Sequence, residues 1–226
     1  MTLSEPRAGG YWAQQSPINI NDSIHAPGLR ALRFHYPNKV AGEWQDPAEE
    51  PGFSFVVATG STAHLDFADQ RCPLRKIHVH TPSEHWLDGV AYPMEIHLVH
   101  AIPRPTWGSS AVVVGIFVQV GETSPPIVHD FVHRGEPKIA GPTLDPNLCL
   151  PMRHDFFRYE GSLTTPGYDE EVSWIVLRDP LTVQSVDLEQ LVKRAHHHAR
   201  AMQPQQRRFV LRNFEEHIHG ACGAAQ

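Results

Sequence analysis

His78-Val79-His80 is followed, before position 101, by Glu84, His85, Glu95, His97 and His100. Histidines at i and i+2 of a β-strand project from one face, because strand side chains alternate with period two. That is a chelating geometry. Tyr92-Pro-Met-Glu-Ile-His-Leu-Val-His100 is dense in strand formers and lies beyond a turn from Thr81 to Val90, so it is expected to return antiparallel and bring His97 against His78 and His80. Three neutral imidazoles without cysteine suit Zn²⁺ in a catalytic site, where a fourth tetrahedral position is kept for water. Co²⁺ or Fe²⁺ is also compatible with such a set.

The elements that must position these residues are short. Twenty prolines and sixteen glycines interrupt the apolar runs, which favours strands joined by irregular loops. Strands are expected at Phe53 to Ala58, His64 to Phe67, Arg75 to His80, Met94 to His100, Ala111 to Val120 and Val172 to Leu177. Val112 to Val118 is apolar on both faces and reads as a central, fully buried strand. Short helices are expected at Pro126 to Arg134 and after Ser185, with Asp187 as cap and Gln190 at the capping-box position. No repeat, linker or domain boundary stands out, so residues 1–226 read as a single domain.

Composition narrows the function. A chain of 226 residues, 41% hydrophobic and 19% charged, can bury a real core. The net charge of -6 and the lack of a Lys/Arg run argue against a nucleic-acid partner. The first ten residues hold no apolar segment and Ala111 to Val118 is too short to cross a bilayer, so a soluble, unsecreted, cytoplasmic protein with no membrane partner is expected. Cys72, Cys149 and Cys222 are too widely spaced for a metal motif and are expected to be free thiols. His85 and His100 read as hydrogen-bonded core groups, and His196-His197-His198 as a solvated helix face.

Gln15-Ser-Pro-Ile-Asn-Ile20, His78-Val-His-Thr-Pro-Ser-Glu-His85, Tyr92 to His100, Gly161-Ser-Leu-Thr-Thr-Pro166 and Val172-Ser-Trp-Ile-Val176 together resemble, in order and spacing from about Tyr11 to about Arg208, the α-class carbonic anhydrases. The resemblance implies a mainly β domain: a large, twisted, mostly antiparallel central sheet with a few short peripheral helices and a conical cleft with Zn²⁺ at its floor. It also implies reversible hydration of CO2 to bicarbonate and a proton by a hydroxide on zinc. A monomer or homodimer acting on this small-molecule substrate is expected. Carried over residue by residue, His78, His80 and His97 are the zinc ligands and Glu95 orients His97. Thr164 and Glu84 form the gatekeeper pair: the Thr hydroxyl donates to the carboxylate, so its lone pair can only accept a proton from the reacting oxygen. Thr165 contacts bicarbonate. Val99, Val113, Leu163 and Trp174 make the apolar niche for CO2.

Several positions depart from the family pattern. Aligning His64-Leu-Asp-Phe67 with the strand that carries the proton-shuttle histidine puts Ser61 at that position, and leaves His64 as a substitute shuttle or a polar lining residue. Turnover slower than in the fastest members, and rescue by imidazole buffer, is the expectation. Lys76 replaces a glutamine whose carbonyl accepts from the first ligand's ring, and an ammonium cannot accept. Gly167 replaces a proline and is expected to loosen the loop carrying Thr164. Of the aromatic segment before Gln15, only Tyr11-Trp12 is present.

Rival readings fare worse. His78-x-His80-x-x-x-Glu84 also fits half a cupin motif, but that pattern expects Gly where Cys72 stands, and Asn where His97 leads to Ala101. Ser16 and Ser162 lie in no nucleophile motif. A weakly active or inactive zinc-holding binding protein of the same family is the remaining alternative.

Overall fold

The computed structural model describes residues 14–45, 54–106, 108–132, 142–195 and 199–215. Its strands are β1 (Asn19–Ile20), β2 (Ile24–His25), β3 (Arg33–His35), β4 (Val40–Trp44), β5 (Ser54–Val57), β6 (His64–Phe67), β7 (Gln70–His80), β8 (Trp86–Leu87), β9 (Val90–Ala91), β10 (Met94–Thr106), β11 (Ser109–Val120), β12 (Thr143–Leu144), β13 (Phe156–Gly161), β14 (Val172–Val183) and β15 (Leu211–Arg212). The helices are α1 (Ile127–Val132) and α2 (Ser185–Ala195). Among the described residues the main sheet runs β12-β4-β5-β7-β10-β11-β14-β13-β15-β2, with β6 joining β7 and β3 joining β6. It is largely antiparallel, as expected, yet mixed: β11 pairs with β14, and β15 with β2, in parallel.

The central strand explains the two-sided core. Val112, Val114, Ile116 and Val118 of β11 join Ile77, Val79, Ile96, Leu98, Ile175 and Leu177 on one face, where Ile127, Phe131, Leu188 and Leu191 of the helices cover them. Val113 and Phe117 point the other way, into a second cluster with Phe157, Tyr159, Trp174, Val176, Ile18 and Ile20. Alternation on a strand buried on both faces produces this pattern. No described helix is long and apolar enough to cross a membrane.

Several boundaries differ from the sequence expectation. β10 continues past His100 through Pro103 and Pro105, and Arg104 between them exchanges two 3.0 Å hydrogen bonds with the Gln70 side chain, which replaces part of the ladder that the prolines cannot supply. Helix α2 starts at Ser185, so Asp187 lies inside its first turn, where it accepts from Ser124 Oγ at 2.5 Å instead of capping. Cys72 and Cys149 are buried free thiols, as expected, and burial pushes Cys72 up to about 11. Cys222, Tyr11, Trp12 and His196 to His198 lie outside the described residues.

His100 sits wholly inside the core, 2.7 Å from the Tyr36 hydroxyl and 3.3 Å from Val112 O. Burial outweighs the Val112 and Leu98 carbonyls and holds its pKa down at about 4. The unfolded chain therefore binds this proton first, from the ordinary value of about 6.5 downward. Stability contributed above pH ~6.5 should be lost as pH falls towards 4, by roughly 3 kcal/mol from this group. Denaturant unfolding between pH 7 and 4 checks it: His100→Gln should flatten the slope.

Candidate metal centre and cleft

The β7–β10 register places His97 opposite His78 and Glu95 opposite His80. The three imidazoles converge with ring centroids 4.7 to 5.0 Å apart and planes splayed by 51 to 85°. His97 Nε2 donates to Glu95 Oε1 at 3.0 Å, which leaves the Nδ1 lone pair facing His78 Nε2 at 3.3 Å. Two nitrogens each 2.0–2.1 Å from a tetrahedral zinc ion stand about 3.3 Å apart, so the spacing fits the ion. Burial, and then the neighbouring His80, His97 and Lys76, hold the His78 pKa well below its usual range, which keeps the ring neutral and able to ligate. The loss of an acceptor at Lys76 has its consequence here: His78 Nδ1 is buried without a hydrogen-bond partner among the described residues.

Glu95 is fully buried and saturated. Its Oε2 accepts from the Glu84 and His85 amides at 3.0 and 2.8 Å, and its Oε1 from His85 Nδ1 at 2.8 Å and from His97 Nε2. Burial alone would raise its pKa, but His85 and His97 on either side more than reverse that and hold it well below the usual carboxylate range. The group is an ionised anchor for His97. His85 continues the network, with Nε2 2.6 Å from the Tyr159 hydroxyl, which donates to Ser16 Oγ at 2.9 Å. Ser16 Oγ in turn accepts from the Ser162 amide at 3.0 Å, two residues before Thr164.

Sequence reasoning missed Gly115. It lies opposite His97 on β11, and a Cβ there would stand 2.5 Å from Glu95 Oε1. A glycine inside the apolar run Val112 to Val118 was the available signal, since such a residue marks a close approach. Gly115→Ala should displace the carboxylate and weaken metal affinity by roughly 10- to 100-fold, the usual effect of losing the group that orients a metal-bound histidine. Competition with a zinc chelator measures it.

Glu84 is buried, with Oε1 accepting from the Arg200 amide at 2.8 Å. Burial raises its pKa against the opposing pull of His97, the Arg200 amide and the Thr164 hydroxyl. Thr164 is thus beside Glu84, but the contact is loose: Oε2 keeps no hydrogen bond of ordinary geometry. Thr165 is exposed, next to it. Val113 and Trp174 belong to the second core cluster and Val99 and Leu163 pack against it, with the Trp174 ring 4.9 Å from the His97 ring. Of the apolar residues expected at the niche, Trp174 thus stands against a ligand histidine, and the other three share its cluster.

The Thr164 loop is better held than Gly167 led one to expect. Gly167 takes φ +111, a conformation for which glycine is suited. The next residue, Tyr168, is stacked under the Arg200 guanidinium at 3.7 Å, and Gln15 Nε2 donates to its carbonyl at 3.1 Å. Arg200 also donates to Ser16 O at 2.6 Å and Gln15 Oε1 at 2.8 Å. No local pattern in the sequence pointed to Arg200, whose partners are all far away along the chain.

His64 lies along β7 from the ligand rows. The strand beside the ligands is β5, with Ser54 opposite His78, and not β6. His64 pairs with Pro73, five residues before His78, about 17 Å along the strand. Ser61 lies in the β5–β6 turn, its amide donating to Ala58 O at 3.2 Å. Both strands pair with β7, and the sequence does not say which half of β7 each one takes.

A mixed sheet thus carries three converging histidines able to hold a metal ion, with a buried carboxylate behind them and the Thr164 loop beside Glu84. The chain belongs to the eukaryotic-type carbonic anhydrase family, whose model matches residues 5–214. It is 36% identical over 154 residues to a carbonic anhydrase of Nostoc sp., covering 66% of this chain and 57% of that protein. Mitochondrial carbonic anhydrase 5B of Rattus norvegicus is 31% identical over 209 residues, covering 78% of this chain and 63% of the relative. The chain thus spans less than two thirds of the length of these relatives. Among solved structures, the α-carbonic anhydrase of Thermovibrio ammonificans in complex with the inhibitor sulfanilamide superposes with a TM-score of 0.74 at 31% identity, covering 88% of this chain and 87% of that one. The Photobacterium profundum α-carbonic anhydrase gives 0.73 at 29% identity, covering 90% of each.

Proposed function

We propose that this protein catalyses the reversible hydration of CO2 to bicarbonate and a proton, with Zn²⁺ held by His78, His80 and His97. The observation that carries the reading is the 3.3 Å approach of His97 Nδ1 to His78 Nε2 while His97 Nε2 is engaged by a buried, ionised Glu95. A divalent ion held by neutral ligands supplies Lewis acidity that lets water lose a proton near neutral pH, a rule for which carbonic anhydrase itself is the standard example.

The chain's own residues do the rest. Val99, Val113, Leu163 and Trp174 offer an uncharged, non-hydrogen-bonding substrate a dry surface, which favours CO2 over water. Thr164, by donating to Glu84, is left able only to accept at its oxygen, so it orients an attacking oxygen that still carries a proton. Thr165, exposed on the same loop, would donate to the anionic product. The Glu95–His85–Tyr159–Ser16–Ser162 chain keeps the histidine floor and the threonine loop in fixed relation.

Stopped-flow CO2 hydration by the zinc-loaded protein tests the proposal. A catalysed rate that rises with imidazole concentration supports it, because His64 stands apart from the histidine floor. Zinc bound without acceleration at any buffer concentration would instead indicate a zinc-holding binding protein.

A further inference from the structure

We infer that His35, His64 and Asp66 form a second divalent-metal site at the β3–β6 edge, separate from the catalytic histidines. The strand register sets His35 directly opposite His64, and Asp66 follows His64 at i+2, so the three side chains share one face. Their candidate ligand atoms lie within 4.8 Å of one another. His64 Nδ1 donates to Thr62 O at 2.7 Å, which fixes the ring proton there and leaves Nε2 as a lone pair, 3.7 Å from Asp66 Oδ1. A carbonyl acceptor on the far nitrogen is the usual support of a metal-bound histidine. His35 Nε2 stands 3.0 Å from Asp66 Oδ2, and the two rings lie parallel, 4.6 Å apart and inclined by 9°. Both Nε2 atoms therefore flank one carboxylate from the same side.

Two imidazoles and a carboxylate match ions of the zinc type and not Mg²⁺, which prefers oxygen. Side-chain exposures of 48% for His35 and 39% for Asp66 leave an entry path, while 18% at His64 holds the third ligand in place. A small closure of the two rings would bring the three groups onto one ion. Because β3 pairs with β6, the ion would clip β3 to the sheet. Arg33 faces Asp66 in the register without an ion pair to it among the described residues, and its charge opposes a cation there.

The test uses the full chain preloaded with one equivalent of Zn²⁺, then titrated with further Zn²⁺ and, separately, Mg²⁺ by calorimetry, with native mass spectrometry counting ions. Wild type should take up a second Zn²⁺ equivalent, ignore Mg²⁺ and melt at a higher temperature once the second ion is bound. His35→Ala and Asp66→Asn should lose the second equivalent and the thermal shift while keeping the first equivalent and the CO2 hydration rate. Arg33→Ala should tighten the second site. Saturation of wild type at one equivalent overturns the inference, as does a second equivalent that survives His35→Ala and vanishes when His196, His197 and His198 are replaced by alanine. His97→Ala should empty the catalytic centre alone, so failure of that site and failure of this one are distinguishable.

Discussion

His97→Ala should leave a folded protein that no longer retains zinc and has lost CO2 hydration. Removing an outer group that orients a metal-bound histidine costs roughly 10- to 100-fold, and removing the ligand itself must exceed that, so a loss of at least about 100-fold is expected. The size of the effect follows from what His97 joins. Its Nδ1 faces His78 Nε2 at 3.3 Å and its Nε2 is fixed by Glu95 at 3.0 Å, so one substitution removes a ligand and leaves the buried, ionised Glu95 with one acceptor site unmet. Because Oε1 keeps its bond from His85 Nδ1, the cost is that of one hydrogen bond to a charged group, about 1.5–3 kcal/mol in stability. Metal content by mass spectrometry, CO2 hydration and a denaturant midpoint on the same sample separate these effects: metal and activity should collapse, and the midpoint should fall modestly. Full zinc retention with full activity would remove His97 from the centre.

Thr164→Ala should behave differently, losing rate without losing metal. On the proposed function the Thr164 hydroxyl would act at the position where charge develops, and deleting one such oriented group typically costs about 100- to 1,000-fold in kcat. Glu84→Gln should approach the same loss, because the amide can donate to Thr164 and so abolish the one-way hydrogen bond. The double variant should be little worse than either single one, since residues acting as a unit are not additive. If Thr164→Ala retained the wild-type rate, the loop would be a structural rim and the loose Thr164–Glu84 contact would carry no chemistry.

Much of the site was legible because its residues lie on two neighbouring strands. His78 and His80 share a face by alternation, and Glu95, His97 and Val99 share theirs, so local periodicity contained most of the metal centre. The central strand was legible for the same reason: Val112 to Val118 has no polar face to turn outward. What was not legible depends on distant pairing. Gly115 matters only because β11 sets it against Glu95, and Arg200 only because the chain returns to Ser16 and Tyr168. The position of His64 along β7 has a similar source. A register shift in β7–β10 between Val99/His100 skips Arg75, and β5 and β6 then take different halves of β7. A β-bulge of this kind adds a residue without any fixed sequence mark.

Titrating Zn²⁺ into the metal-free protein while following CO2 hydration by stopped flow tests the central claim most directly. Activity should rise linearly and reach its plateau at the first equivalent, with nothing added by further zinc. Activity undiminished in the metal-free protein, or a protein that binds its first zinc ion tightly and stays inert, would contradict the account.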